Sequence, residues 1–143
     1  LGVGDPRAKP AHADTHQRVR EAHSSETAED YVEAIAEIID EHGRCRVVDL
    51  TRRFGVSHVT VSRTIGRLAR DGLVRTEPYK PIELTPEGQR LASEAAERHR
   101  IIVRFLIAIG LDPVTAEMDA EGIEHHVSPK TLELFRRFVQ EPR

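Results

Sequence analysis

Residues 119–126 read DAEGIEHH. Glu121, Glu124 and His125 are spaced i, i+3, i+4, which on a helix sets two carboxylates and an imidazole on one face. Such oxygen and nitrogen donors suit divalent ions. From Phe105 to Pro129 there is no Lys or Arg, against Asp112, Glu117, Asp119, Glu121 and Glu124. Nothing local in the sequence neutralises that charge. Like charges at this spacing cost an isolated helix a few tenths of a kcal/mol, and more where they are buried. A bound cation would reverse the penalty. Gly122 costs about 1 kcal/mol of helix stability relative to Ala, which points to close approach of another backbone. His126 lies about 100° further round the helix and is set aside.

Three ligands make a loose site, so more are expected elsewhere. Asp30 and Glu33 repeat the i, i+3 carboxylate spacing, with Glu29 and Glu37 set aside as decoys. His99 stands beside the apolar run IIVRFLIAIGL. Each has an ordinary alternative: Asp30 and Glu33 as solvated charges, His99 as a hydrogen-bonded core histidine.

These groups need elements to position them. Tyr31, Ile35, Ile38 and Ile39 recur at helical spacing after a capping box at Thr27 and Asp30, so a first helix is expected to about Glu41, ended by Gly43. Residues 1–24 are polar and poor in apolar side chains, which predicts a mobile extension with at most a short helix over Thr15–His23. Its Arg7, Lys9, Arg18 and Arg20 could reach DNA, and its His12, His16 and His23 could take stray metal. Short helices follow over Val47–Arg53 and His58–Arg70, with Gly55 in the turn and Ser57 as N-cap. LVRTE and IEL read as two strands around Pro78 and Pro81. Thr85-Pro86 opens a long helix to about Ile109, continuous or broken near His99. Its second half is apolar on nearly all sides, so it is either deeply buried or a subunit interface. Asp112-Pro113 opens the helix carrying the octet. Ser128-Pro129 opens a last one, with Leu132, Phe135, Phe138 and Val139 as its stripe.

The formal net charge of −3 does not itself indicate nucleic acid, but its distribution does. Between Arg44 and Lys80 stand nine basic residues against three acidic ones, a net +6. That segment coincides with helix, Gly turn, helix and two strands, the order of a winged helix-turn-helix. Val48, Leu50, Phe54, Val56, Val61, Ile65 and Leu68 are expected to fill its core. Ser57, His58, Val59, Thr60, Ser62, Arg63 and Arg67 would then face outward. Small side chains at the start of a recognition helix reach base edges or a thymine methyl, and Arg63 and Arg67 suit guanine or phosphate. Arg75 and Lys80 are placed to touch the DNA backbone from the wing. The alternative is a protein-docking module with a solvated basic face.

The single cysteine, Cys45, permits no internal disulfide and fits a reducing compartment. The longest apolar stretch is about half a membrane span, and no apolar signal core opens the sequence, so no membrane partner and a cytoplasmic location are expected.

Taken in order and spacing, DYVEAI, the winged-helix stretch, LTPEG, RHRIIVRFL and DAEGIEHHVS resemble the manganese-responsive (MntR) branch of the DtxR/MntR family of metal-dependent transcriptional repressors, over roughly Thr27 to Phe138. The resemblance implies a mainly α protein: residues 1–24 an extension, 25–84 a winged helix-turn-helix, 85–143 a helical dimerisation and metal-binding domain. It implies metal ligands at Asp30, Glu33, His99, Glu121, Glu124 and His125, one or two Mn2+ per subunit with other divalent ions able to substitute, a homodimer and a palindromic double-stranded operator. Iron-type members carry a sulfur residue where this chain has Glu124. They also often carry a further SH3-like domain, not expected here. Oxygen and nitrogen ligation suits Mn2+, whereas thiolate favours softer ions. Other readings stay open: an iron-responsive member of the same family, or a metal-independent winged-helix repressor sensing an organic ligand. A metallohydrolase using Glu121 or Glu124 as base lacks support, since there is no HExxH zinc helix.

Overall fold

The structure, a computed structural model, describes the backbone of residues 11–140 and the side chains from residue 26, with His16 and Arg20 before it. Arg7, Lys9 and the side chains of His12, Arg18 and His23 lie outside the described residues. Its elements are α1 Ala11–His42, α2 Val47–Phe54, α3 His58–Arg70, β1 Val74–Arg75, β2 Glu83–Leu84, α4 Pro86–Ala108, α5 Pro113–Ile123 and α6 Pro129–Gln140.

Helix α1 begins well before the expected start at Thr27. No Gly or Pro occurs from residue 11 to residue 42, so nothing in the chain breaks the helix there. Thr27 is an interior helical residue and does not start the helix. Gly43 stops the helix at φ 82°, its N–H returning to the Ile39 carbonyl at 2.7 Å.

One apolar core joins α1 to the winged helix. Tyr31, Ala34, Ile35 and Ile38 of α1 meet Cys45, Leu50, Val61, Ile65, Leu68, Val74 and Ile82. Phe54 stacks on Tyr31 with ring centroids 4.5 Å apart. Val48 and Val56, expected inside, are exposed. The register of α2 turns Val47 and Leu50 inward instead, and Cys45 enters the core through a bridge to Ile82. Burial pushes the Cys45 thiol up to about 12, with the Asp49 charge adding, so it is an inert packing residue. The strands pair antiparallel, Val74 opposite Leu84 and Arg75 opposite Glu83, and are shorter than the apolar pattern implies.

Helix α4 is capped by the Thr85 side chain and runs unbroken past His99. Phe105 stacks on Phe135 of α6 at 3.9 Å and meets Phe138 edge-on at 5.3 Å. Ile101 and Ile102 are buried, whereas Ile107, Ile109, Val114 and Met118 are exposed around the α4–α5 corner. No helix among the described residues is long and apolar enough to cross a membrane. Helix α1 packs more extensively against α4 than any other pair of elements does, while its apolar stripe enters the winged-helix core, so it touches both halves.

Gly88, in the first turn of α4, has no room for a side chain. A Cβ there would fall inside the contact shell of the Leu73 carbonyl and 3.2 Å from Leu84 Cδ2. Gly88→Ala is expected to lower stability by about 1–3 kcal/mol in urea unfolding of the apoprotein. Unchanged stability would show that this joint between wing and α4 is loose.

Candidate metal centre

Three oxygen and nitrogen donors converge where α1, α4 and the end of α5 meet. Ligand atoms of Asp30, Glu124 and His125 all lie within 4.8 Å of one another. Glu124 is 6% exposed and is the one buried charged side chain among the described residues. It closes α5 as the C-cap, its N–H bonded to the Ala120 carbonyl at 2.9 Å, so its carboxylate points inward. His125 therefore stands in the turn after α5 rather than on its face, as the helical reading had it. His125 Nε2 lies 3.3 Å from Asp30 Oδ1 and 3.6 Å from Glu124 Oε1. Across the cleft, His99 Nδ1 meets Glu124 Oε2 at 2.7 Å and Nε2 meets Glu117 Oε2 at 2.6 Å. The cleft encloses about 870 Å3, and Asp30, Glu33, His99, Glu121, Glu124 and His125 all line it.

The electrostatics follow from burial. Desolvation, the largest influence on each, raises Asp30, Glu33 and Glu124 above the ordinary carboxylate value. The His125 charge opposes this at Asp30, while Glu29, Glu26 and Glu121 add to it. At Glu33 the Glu124 charge adds and His99 opposes. At Glu124 the hydrogen bond and charge of His99 oppose without cancelling. Burial alone would lower the His99 imidazole, but hydrogen bonds to Glu117 and Glu124 and their charges outweigh it and raise it. Carboxylates gathered this closely around the buried Glu124, with imidazole nitrogens facing acceptors, call for cations between them: protons or a metal. The donor set thus fits a divalent ion.

Glu33 and Glu121 face the cleft without joining the tightest cluster, and Glu121 is exposed. Gly122 has open space where its Cβ would stand, so the close backbone approach expected there is absent within this chain. Sequence reasoning missed Glu117, which spacing alone does not single out, and dismissed Glu29, which bonds His125 Nδ1 at 3.0 Å. It also missed Arg98, brought by α4 to within 2.8 Å of Glu29 although no basic residue is near in sequence. Glu37 pairs with Arg53 and takes no part in the cluster. His126 turns to Glu26 at 3.0 Å.

On the winged helix, Ser57, His58, Val59, Thr60, Ser62 and Arg63 are exposed on α3, and Arg67 is half-buried. Ser57 is occupied in capping, its Oγ accepting the Thr60 N–H at 3.2 Å and bonding Thr60 Oγ1 at 3.0 Å. Ser62 Oγ bonds His58 Nδ1 at 3.3 Å. Val59, 62% exposed, is the bare apolar side chain at this helix start. On the wing Arg75 is exposed and Lys80 pairs with Glu77 at 2.8 Å. Between them Tyr79 is 99% exposed and holds a left-handed φ of 65°, an unusual state for a non-glycine residue.

Residues 23–82 match the profile described as iron dependent repressor, N-terminal DNA binding domain, and residues 85–143 that of the metal binding and dimerisation domain. The Transcriptional regulator MntR of Escherichia coli O6:H1 is 47% identical, covering 96% of this chain and 94% of its own. The protein of that name from Salmonella typhimurium is 46% identical, covering 91% and 83%. The chain belongs to the MntR branch of the iron-dependent repressor family. It is a DNA-binding transcriptional repressor that forms homodimers, not an enzyme. Among solved structures, one titled a manganese-dependent transcriptional repressor complex with manganese is 30% identical, with a TM-score of 0.72 over 80% of this chain. This chain spans 53% of that longer protein.

The four raised groups set the sign of the pH dependence. Each folded-state value lies above its ordinary one, so their stabilisation of the metal-free fold is complete below the ordinary value and lost as pH rises through the raised one. A metal held there would compete for the same atoms. Its affinity is therefore expected to rise as pH climbs above the ordinary imidazole value of 6.5, where the raised His99 gives up its proton. Titration calorimetry across that rise in pH checks it; a flat profile would show that no protonated group yields to the ion.

Proposed function

We propose that this protein represses manganese-uptake genes in response to Mn2+ in the cytoplasm. Asp30, Glu33, His99, Glu121, Glu124 and His125 would hold one or two ions. The buried Glu124 carboxylate carries this reading, because it sits between two imidazoles and faces Asp30 in an otherwise acidic cleft. Charged walls suit an ion better than an organic effector. All donors are oxygen or nitrogen, and the sole cysteine is buried in the winged-helix core, so no thiolate is at hand to favour a softer metal. The manganese-bound relative supports the choice of ion. By the Irving–Williams order Mn2+ is a weak competitor, so selectivity rests on coordination number and supply.

When bound, the ion supplies positive charge at the point where both halves present acceptors. The chain's own residues do the coupling. Asp30 and Glu33 project from α1, whose adjacent stripe of Tyr31, Ile35 and Ile38 is packed into the winged helix. His99 projects from α4, and Glu124 and His125 from the end of α5. Drawing these groups together sets α1 against α4 and fixes where α3 stands in each subunit. The exposed Ile107, Ile109, Val114 and Met118 form the surface a second copy would cover, which makes the spacing of two recognition helices a property of the dimer. Those helices would read a palindromic operator with half-sites about 34–36 Å apart, one DNA turn. Val59 and Arg63 offer base contacts, Ser57, His58, Thr60, Ser62 and Arg67 line the groove or phosphates, and Arg75, Lys80 and Tyr79 extend the contact along the wing.

In gel shifts on the promoter of a manganese importer, Mn2+ is expected to tighten binding about 5–150-fold over EDTA, the range of typical coupling energies. Asp30→Ala and His99→Ala should abolish that stimulation. Full stimulation in either variant, or equal binding in EDTA, would overturn the assignment. Arg63→Ala should weaken operator binding by about 1–3 kcal/mol while leaving Mn2+ affinity unchanged. A loss of metal affinity in Arg63→Ala would place that side chain in the wrong half of the mechanism.

A further inference from the structure

His125 is gripped from behind. Its Nδ1 lies 3.0 Å from Glu29 Oε2, and the same oxygen is 2.8 Å from Arg98 Nη2. An oxygen already facing a guanidinium N–H serves as an acceptor, so Nδ1 must donate. With the hydrogen on Nδ1, the other nitrogen keeps a lone pair in the neutral ring. That nitrogen faces Asp30 Oδ1 and Glu124 Oε1, at 3.3 and 3.6 Å. The three side chains are well covered, at 10% exposed for His125, 17% for Glu29 and 22% for Arg98. Arg98 Nε is buried with no protein partner, so the guanidinium is placed by its contact with Glu29 rather than by satisfaction of its whole fork. Nearby His126, which pairs with Glu26, is exposed.

We propose that Glu29 and Arg98 are positioning residues for the metal centre: Glu29 takes the Nδ1–H of His125, Arg98 holds Glu29, and the ring is thereby locked with Nε2 toward Asp30 and Glu124. The proposal rests on the reading of His125 as a metal ligand. It adds two residues that chain spacing does not reveal and that coordinate nothing themselves. A carboxylate on the far nitrogen fixes the tautomer and raises the basicity of the nitrogen that ligates. The relay also crosses the molecule. Glu29 is on α1, Arg98 on α4 and His125 beyond α5, so the same contacts that aim the ring tie α1 to the dimerisation half before any ion arrives.

The test uses the homodimer of this chain with Glu29→Ala, Glu29→Gln, Arg98→Ala and Arg98→Lys. Calorimetry with Mn2+ should show affinity falling about 10–100-fold in Glu29→Ala, with the number of ions per subunit unchanged. Glu29→Gln, whose amide oxygen still accepts the Nδ1–H, should lose less, and Arg98→Lys less than Arg98→Ala. Affinity in Glu29→Ala within twofold of wild type would overturn the proposal. So would the loss of one bound ion, which would make Glu29 a ligand. Nitrogen NMR of the metal-free protein supplies a readout independent of the ion. A slowly exchanging His125 Nδ1–H is expected in wild type and absent in Glu29→Ala. Its absence in wild type would also overturn the relay. Should wild type bind no Mn2+, the metal reading fails separately, and the NMR result still decides whether the lock exists.

Discussion

A carboxylate that the fold withdraws from water governs this molecule. Glu124 has its oxygens divided between His99 and His125, and burial raises it together with Asp30 and Glu33. Withdrawing an ionised carboxylate is costly unless it is paired, and here the two imidazoles offset that cost only in part while Asp30 adds to it. The rest of the architecture makes that arrangement unavoidable. Thr85 starts α4 so that His99 arrives at the cleft, and the Asp112 side chain caps α5 so that its last turn delivers Glu124 inward. Protons satisfy the cluster at low pH. At neutral pH a divalent ion would do so better, because one ion would replace several protons and neutralise carboxylates from both halves.

The same constraint explains how an ion would be felt at DNA. Helix α1 carries two adjacent stripes, Asp30 and Glu33 toward the cleft and Tyr31, Ile35 and Ile38 into the winged-helix core. It is a single rigid element touching both sites. Force applied at one stripe moves the other, since close-packed interiors transmit displacement rather than absorb it. Extensive α1–α4 packing and the Arg98–Glu29 pair limit the freedom of the metal-free state to rearrangements about this contact rather than separation of the halves. Such a modest rearrangement suits a coupling of a few kcal/mol.

Much of the fold was legible because local chemistry and tertiary packing agree. Ser57, Gly55, Thr85 and Asp112 stand at the element ends that their types imply. The start of α1 was not legible, because a capping box at Thr27 is a local option that an uninterrupted helix overrides. Val48 was misplaced because the register of α2 turns Val47 inward instead, and Val56 because it falls in the turn between α2 and α3. At the site, spacing revealed the donors that share an element. It could not reveal Glu117, Glu29 or Arg98, which matter through contacts across elements. The turn at His125 was hidden too, since nothing in GIEHH announces that the helix ends at Ile123, two residues before it.

Reciprocity gives the most direct test of a shared ion-and-DNA equilibrium. Mn2+ affinity would be measured on the free dimer and on the dimer saturated with its operator, with non-operator DNA as the control for ions held by phosphate. Operator DNA should tighten Mn2+ binding by the same factor by which Mn2+ tightens operator binding. Equal Mn2+ affinity with and without operator would contradict the account, since the buried acidic cluster would then be indifferent to the position of the recognition helices.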